Sequence, residues 1–410
     1  MSRTSRRIFL RRTGLAAVGA VLGPQVSIGR SQTAGKAAEG PGPAPASGVI
    51  PGKRGVRVLS DRPINCETPV TLLDDEITPN HLHFVRNNGH VPARAERGDL
   101  TGWSLAVDGE VQRALKLTLD ELKQYGAIER ALVLECAGNG RAGFNPPASG
   151  NQWTLGGVGC ALYRGVRLRD VLNAAGIKPT AVYVGYYGED PHLSGDLKRQ
   201  AISRGVPIAK ALDEHTMLAW EMNGEPLPAL HGFPLRLICP GWPASTSGKW
   251  LTRLWVRDRE HDGEKMTGHS YRLPRYPVAP GATVPKEDMA MIEELPVKSL
   301  ISLPGSGVEH PVSRALAMRG QAWSGSGDVR ALQISIDFGQ SWLNADLRRP
   351  RNKYAWQRWT AEVRFPVRGY YEIWARATDA AGRMQPMVVP GWNPEGYCNN
   401  AMQRIAVKVV

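Results

Sequence analysis

Alternation of apolar and polar positions is clearest in the last third of the chain. In "ALQISIDFGQSW" (331–342), Leu332, Ile334, Ile336 and Phe338 fall on one side, which predicts a half-buried strand turning at Gly339. "GYYEIWARATDAAGR" (369–383) alternates again, with a turn at 379–382, and "QRIAVKVV" (403–410) reads as a further strand. Several such strands between Gly and Pro turns predict an all-β immunoglobulin-like sandwich over 295–410. Upstream the pattern is mixed. "TLDELKQYG" (118–126) predicts a short helix capped by Thr118, and "RLRDVLNAAGI" (167–177) a second, with Val171, Leu172 and Ala175 on one face. "RALVLEC" (130–136) and "AVYVGYYG" (181–188) predict strands ending in turns. Short helices alternating irregularly with strands give an α+β domain over 57–285. No internal repeat is visible.

The first residues follow another pattern. In "SRRIFLRRTGLAAVGAVLG", the pair Arg6–Arg7 precedes Phe9, Leu10 and Arg11, and a short, weakly apolar stretch follows. This predicts a twin-arginine export signal over 1–34, with 35–56, rich in Gly, Ala and Pro, as a linker. Export of a folded chain predicts a periplasmic protein whose cofactor is inserted beforehand. No other segment reaches about 18 apolar residues, so no membrane anchor is expected. The net charge of +13 includes six arginines and no acids in 1–34, leaving 13 − 6 = +7. That moderate basic bias suits an anionic substrate or an acidic partner. Without a basic run interleaved with aromatics, it does not point to nucleic acid.

The chain has five cysteines, at 66, 136, 160, 239 and 398. They form no CxxC, no CxxCH and no zinc spacing, so c-type haem is not attached to this chain. Cys66, Cys160, Cys239 and Cys398 are expected as buried free thiols. Cys136 differs because it ends an apolar run and enters "CAGNGR". It is a candidate nucleophile, buried thiol or soft-metal ligand. The local chemistry favours the ligand: a thiolate binds soft metals, Gly138 and Gly140 let backbone approach a bulky group, and Arg141 offers a planar fork to an oxyanion.

"ECAGNGR" resembles the cysteine motif of the sulfite oxidase family of molybdenum enzymes. The likeness continues in "ITPNHLHFVRNNGHVP" (77–92), "HGFPLRLICPGWPASTSGKW" (231–250), "MIEELPVKS" (291–299) and "GWNPEGYCNNAMQRIAV" (391–407). The resemblance implies a molybdopterin-binding domain of sulfite oxidase type, carrying molybdenum on a pyranopterin dithiolene. Cys136 would be the thiolate on the metal. Arg86, Arg141 and Tyr271 would hold the sulfur oxyanion, and Trp153 would wall the pocket. His231, Arg236 and Lys249 would grip the pterin and its phosphate, with Ser245, Thr246 and Ser247 as nearby donors and Asp190 as an acidic contact. Asn88 stands where the family often has histidine, and Gly140 where some members have a second arginine. For a further substrate arginine, Lys353 is nearest, with Arg351 and Arg358 as rivals.

Taken singly, most of these residues have plainer roles. Arg86 could pair with Asp74, Lys249 could be a solvated charge, Trp153 a core indole and His231 a core histidine. His81 and His83 alternate on one strand face without a third ligand. The implied activity is sulfite oxidation to sulfate, with electrons leaving to an external c-type cytochrome and the second domain forming a homodimer. The alternatives are a sulfane dehydrogenase subunit of a thiosulfate-oxidising complex and, from another class, a non-catalytic periplasmic binding module.

Overall fold

A computed structural model describes residues 48–410, so the expected export signal and residues 35–47 of the expected linker lie outside the described residues. The linker's last residues are part of the fold, since Ile50 and Lys53 are buried.

Both predicted helices are present, as Leu119–Lys123 and Leu168–Ala175. Thr118 caps the first in a full capping box with Glu121. The second buries Leu168, Val171, Leu172 and Ala175. At eight residues it is the longest α-helix among the described residues, so the first region is mostly β rather than an even α+β mixture. Its many Gly and Pro turns leave runs too short for longer helices.

Two five-stranded sheets carry this region. One pairs Ile128–Glu135, Val158–Arg167 and Met217–Met222 antiparallel, with Glu225–Pro226 and Arg236–Ile238 also on Met217–Met222. The other runs Leu115–Leu117, Leu105–Gly109, Leu251–Arg257, Tyr183–Gly188, Gly205–Pro207, and its pair Leu105–Gly109/Leu251–Arg257 is parallel. The helix Leu168–Ala175 shares one core with both, through Leu105, Val107, Val166, Leu218 and Leu254. A small sheet of Arg57–Asp61, Ile64–Glu67 and Val85–Arg86 sets Arg86 opposite Asn65.

From Lys298 onward two further sheets face each other. Lys298–Leu303, Leu316–Trp323, Gln357–Val363 and Asp346–Leu347 form one. Val308–His310, Gln403–Val409, Gly369–Asp379, Val329–Ser335 and Leu343–Asn344 form the other. Ile301, Met318, Trp359, Leu332, Ile334, Ile373 and Val407 fill the space between them. The alternation read over 331–342 holds only as far as Ser335. Beyond it Ile336 is half-buried and Phe338 is exposed, because the Asp337 carboxylate accepts from Ser341 N (2.9 Å) and Ser335 Oγ (2.7 Å) and turns the chain.

All five cysteines are unpaired and buried. Burial pushes the thiols of Cys160, Cys239 and Cys398 up to about 12, which keeps them protonated and inert. No described helix is long and apolar enough to cross a membrane.

Candidate active site

The strand Ile128–Glu135 passes through the core on Leu132 and Leu134 and delivers Cys136 at its end. There the chain turns tightly, with Asn139 N donating to Cys136 O at 2.9 Å. Glycine favours the turn at two positions, by space at the first and by backbone conformation at the second. A Cβ on Gly138 would lie 2.6 Å from Arg141 Nη2, and Gly140 has φ +92°. The turn is fastened from outside. Cys136 N donates to Gly157 O (2.9 Å), Cys398 N to Ala137 O (2.9 Å) and Asn399 Nδ2 to Gly140 O (2.8 Å).

Cys136 opens into a cavity lined by ten of the thirteen expected site residues. Arg86, Asn88 and Tyr271 share its wall with Asp190, His231 and Arg236, and Ser245, Ser247 and Lys249 complete the set. The other three stand one layer back. Trp153 is fully buried and meets Phe84 edge-on (6.2 Å, 87°), so Phe84, which lines the cavity, takes the place expected for the indole. Thr246 is fully buried and its hydroxyl donates to Pro243 O (2.9 Å). Arg141 is drawn away by carbonyls: Nε donates to Glu395 O (2.7 Å) and Nη1 to Asn151 O (3.0 Å). Its Cζ lies 5.3 Å from the Tyr397 ring centroid.

The competing roles also resolve. Asp74 pairs with Arg319 at 2.7 Å rather than with Arg86, and Arg319 holds its carboxyl below the usual range. His83 lines the cavity, whereas His81 lines a separate outer groove. Lys353 sits 4.8 Å over the Tyr354 ring and is not in the lining. Sequence reading missed Lys53, Arg204 and Tyr186. Tyr186 lies in the predicted strand 181–188 and lines the cavity. Lys53 lies in a Gly- and Pro-rich stretch and Arg204 in a polar one, with no local pattern to single them out.

The cations around the cavity have neutral partners. Arg236 donates to Ser247 O and His231 O, both at 3.3 Å. Lys249 donates to Asn87 Oδ1 and to Leu230 O (3.0 Å). Arg86 donates to Asn87 O and Asn88 Oδ1 (3.0 Å). Lys53 Nζ donates to Asn80 O and His83 O (2.6 Å each) and to His231 Nε2 (2.7 Å). Asp190 is the one acid in the lining, and burial pushes its carboxyl up to about 6 against the pull of Lys249.

Burial drives the other shifts. It holds Lys249 well below the lysine range, with Arg236 adding to the effect, and takes Lys53 down to about 7. It also lowers Arg236 and brings His83 down to about 3, with Lys53 contributing to the latter. His83 Nε2 and Asn87 Nδ2 are buried without partners. Buried charges are tolerated only when compensated. A ring of cations with one acid and an orphaned Asn87 amide donor therefore fits an occupant carrying several negative charges. A pyranopterin dithiolene with its phosphate is such a group, and the Cys136 thiol stands where it could reach a soft metal held by that group.

Comparisons with known proteins agree. The oxidoreductase molybdopterin binding domain model matches residues 88–265, and the Mo-co oxidoreductase dimerisation domain model matches 289–410. Mitochondrial sulfite oxidase of Rattus norvegicus is 34% identical over 373 residues, covering 87% of this chain and 66% of the relative's length. Sulfite oxidase of Gallus gallus is 34% identical over 373 residues, covering 88% of this chain and 79% of the relative. Among solved structures, the sulfane dehydrogenase SoxCD from Paracoccus pantotrophus matches with a TM-score of 0.69 and 26% identity, covering 85% of each chain. Fold and site together define a molybdopterin-dependent oxidoreductase. Within that class, the chain belongs to the sulfite oxidase family, and its cofactor is molybdenum on a pyranopterin.

Proposed function

We propose that this chain oxidises sulfite to sulfate and passes the two electrons singly to an external c-type cytochrome. The carrying observation is the ring of buried and half-buried cations with neutral partners around the Cys136 thiol. The overall conversion takes sulfite and water to sulfate, two protons and two electrons. The bound cofactor supplies the two-electron redox chemistry. The chain's residues position and exclude. Arg86 and Tyr271 hold the anion, and Arg141 supports them from behind Tyr397. Arg236, Lys249, His231, Ser245 and Ser247 hold the pterin and its phosphate, and Asn88 gives a neutral hydrogen bond.

The twin-arginine pattern supports export to the periplasm. The dimerisation-domain match over 289–410 supports a homodimer, and the two facing sheets from Lys298 support an immunoglobulin-like sandwich there. The two family-model matches, over 88–265 and 289–410, support a division into a catalytic region at 57–285 and a second domain at 295–410.

The SoxCD likeness favours a second reading, a sulfane dehydrogenase subunit. Ferricyanide-coupled assays on the purified, molybdenum-loaded chain separate the two. Sulfite turnover by the chain alone is expected. Turnover of a sulfane substrate only with a copurifying haem subunit would favour the second reading, and no turnover with either would overturn both.

A further inference from the structure

Arg204 is a buried cation for which the roles above give no use. It is 1% exposed, and its Nε is a buried donor with no partner among the described residues. Its Nη1 donates to Ser245 Oγ at 2.6 Å, and its Cζ lies 4.4 Å from the Tyr271 ring centroid. Ser245 and Tyr271 both line the cavity. The Tyr271 ring stacks on Tyr397 (5.4 Å, 7°), and Arg141 stands beside Tyr397. Two guanidiniums and two phenols thus form one continuous row from four separate parts of the chain.

A purely structural role explains this row poorly. A guanidinium buried beside a hydroxyl and an aromatic ring, with no carboxylate, is costly, and an apolar side chain of similar volume would fill the space without that cost. The Tyr271 backbone is also unusual, with φ +55°, a conformation a bulky residue keeps only where its surroundings hold it. The contacts of Arg204 supply such a hold on the ring, and they fix the Ser245 hydroxyl as well. Tyr186 fastens the same serine from its other side, its hydroxyl donating to Ser245 O at 2.7 Å. The charge of Arg204 then lies one side-chain layer behind the cavity, and a divalent anion feels that field twice as strongly as a monovalent one.

We propose that Arg204 is a positioning residue for oxyanion binding. It fixes Tyr271 and Ser245 in the cavity wall and adds a positive field that selects divalent over monovalent anions. The proposal rests on the reading of this cavity as an oxyanion site.

The test compares the molybdenum-loaded wild type with Arg204→Met, which keeps bulk without charge, and Arg204→Lys, which keeps charge without the planar face. KM and kcat for sulfite are measured with inhibition constants for sulfate and chloride. Arg204→Met is expected to raise KM and the sulfate constant about tenfold, with the chloride constant and kcat changed by about threefold at most. Full metal content with unchanged sulfite and sulfate affinity, or equal losses for sulfate and chloride, overturns the proposal. Should Arg204→Met fail to load metal, Arg204→Lys decides. A KM raised about threefold at constant kcat is expected from its lost stacking, and an unchanged KM overturns the proposal. If the wild type oxidises no sulfite, the sulfite reading falls separately. Calorimetric sulfate and chloride binding to the loaded wild type and variants then reports on Arg204, with the same losses expected.

Discussion

Two groups of buried charge lie on either side of the Cys136 turn, and they are built in opposite ways. On one side, Lys298 Nζ meets Glu135 Oε1 at 2.5 Å and Asn139 O at 3.2 Å. Trp323 Nε1 and Asn139 Nδ2 satisfy the same carboxylate at 2.8 and 2.9 Å. Asn139 Oδ1 then accepts from Gly157 N at 2.9 Å. This network is internally complete, and it ties residues far apart in sequence to the strand end that presents the thiol. On the cavity side, Lys53, Arg204, Arg236 and Lys249 face carbonyls, a hydroxyl, an amide and an imidazole. Complete charge networks hold a structure in one arrangement. Incomplete ones mark a place where another molecule finishes the arrangement.

The largest expected effect tests the thiol between the two groups. Cys136→Ser should keep the fold and the pterin but lose more turnover than the roughly 10–100-fold that loss of an outer-shell partner costs. Near-normal sulfite turnover in a metal-loaded variant would remove the ligand role. Next, Lys298→Met alone strands a buried carboxylate and should destabilise the protein by about 3–5 kcal/mol in urea unfolding. Adding Glu135→Gln should recover much of that loss, and additive losses would show that the pair is not one unit.

The cavity group should behave in reverse. Arg236→Met should leave the thermal midpoint of cofactor-free protein unchanged or raised, while pterin retained after purification falls. A large loss of cofactor-free stability would make Arg236 a structural residue. The smallest effect is with pH. The Lys53 ammonium is held at about 7 when folded, below the usual lysine value, so the unfolded chain binds the extra proton between them. Cofactor-free stability should therefore rise as pH climbs from about 7 towards 10, and Lys53→Met should flatten that rise. An identical slope in both proteins would assign it to other groups.

Much of this was legible in the sequence. The alternation over 369–383 and 403–410 predicted strands that are present, and the Cys136 turn was marked by its glycines. Ten expected site residues lie around one cavity, and it was the family resemblance of their short motifs, rather than any one residue's local pattern, that singled them out. What stayed hidden depends on distant contacts. Nothing near Lys53 distinguishes it from linker, and Arg204 follows the polar run "DLKRQ" like any solvated charge. The Glu135–Lys298 pair spans 163 positions and leaves no periodic trace. The depth of Trp153 was equally invisible, because residue type gives apolar character but not which layer of a wall it occupies.

The Asn399 amide reaches back 259 positions to hold the turn beside the thiol. During synthesis, the stretch bearing Cys136 leaves the ribosome long before the residues that fasten it exist. Metal loading therefore belongs after translation of both halves, and a nascent fragment ending between them would present a loose thiol, open to oxidation, in place of a finished socket.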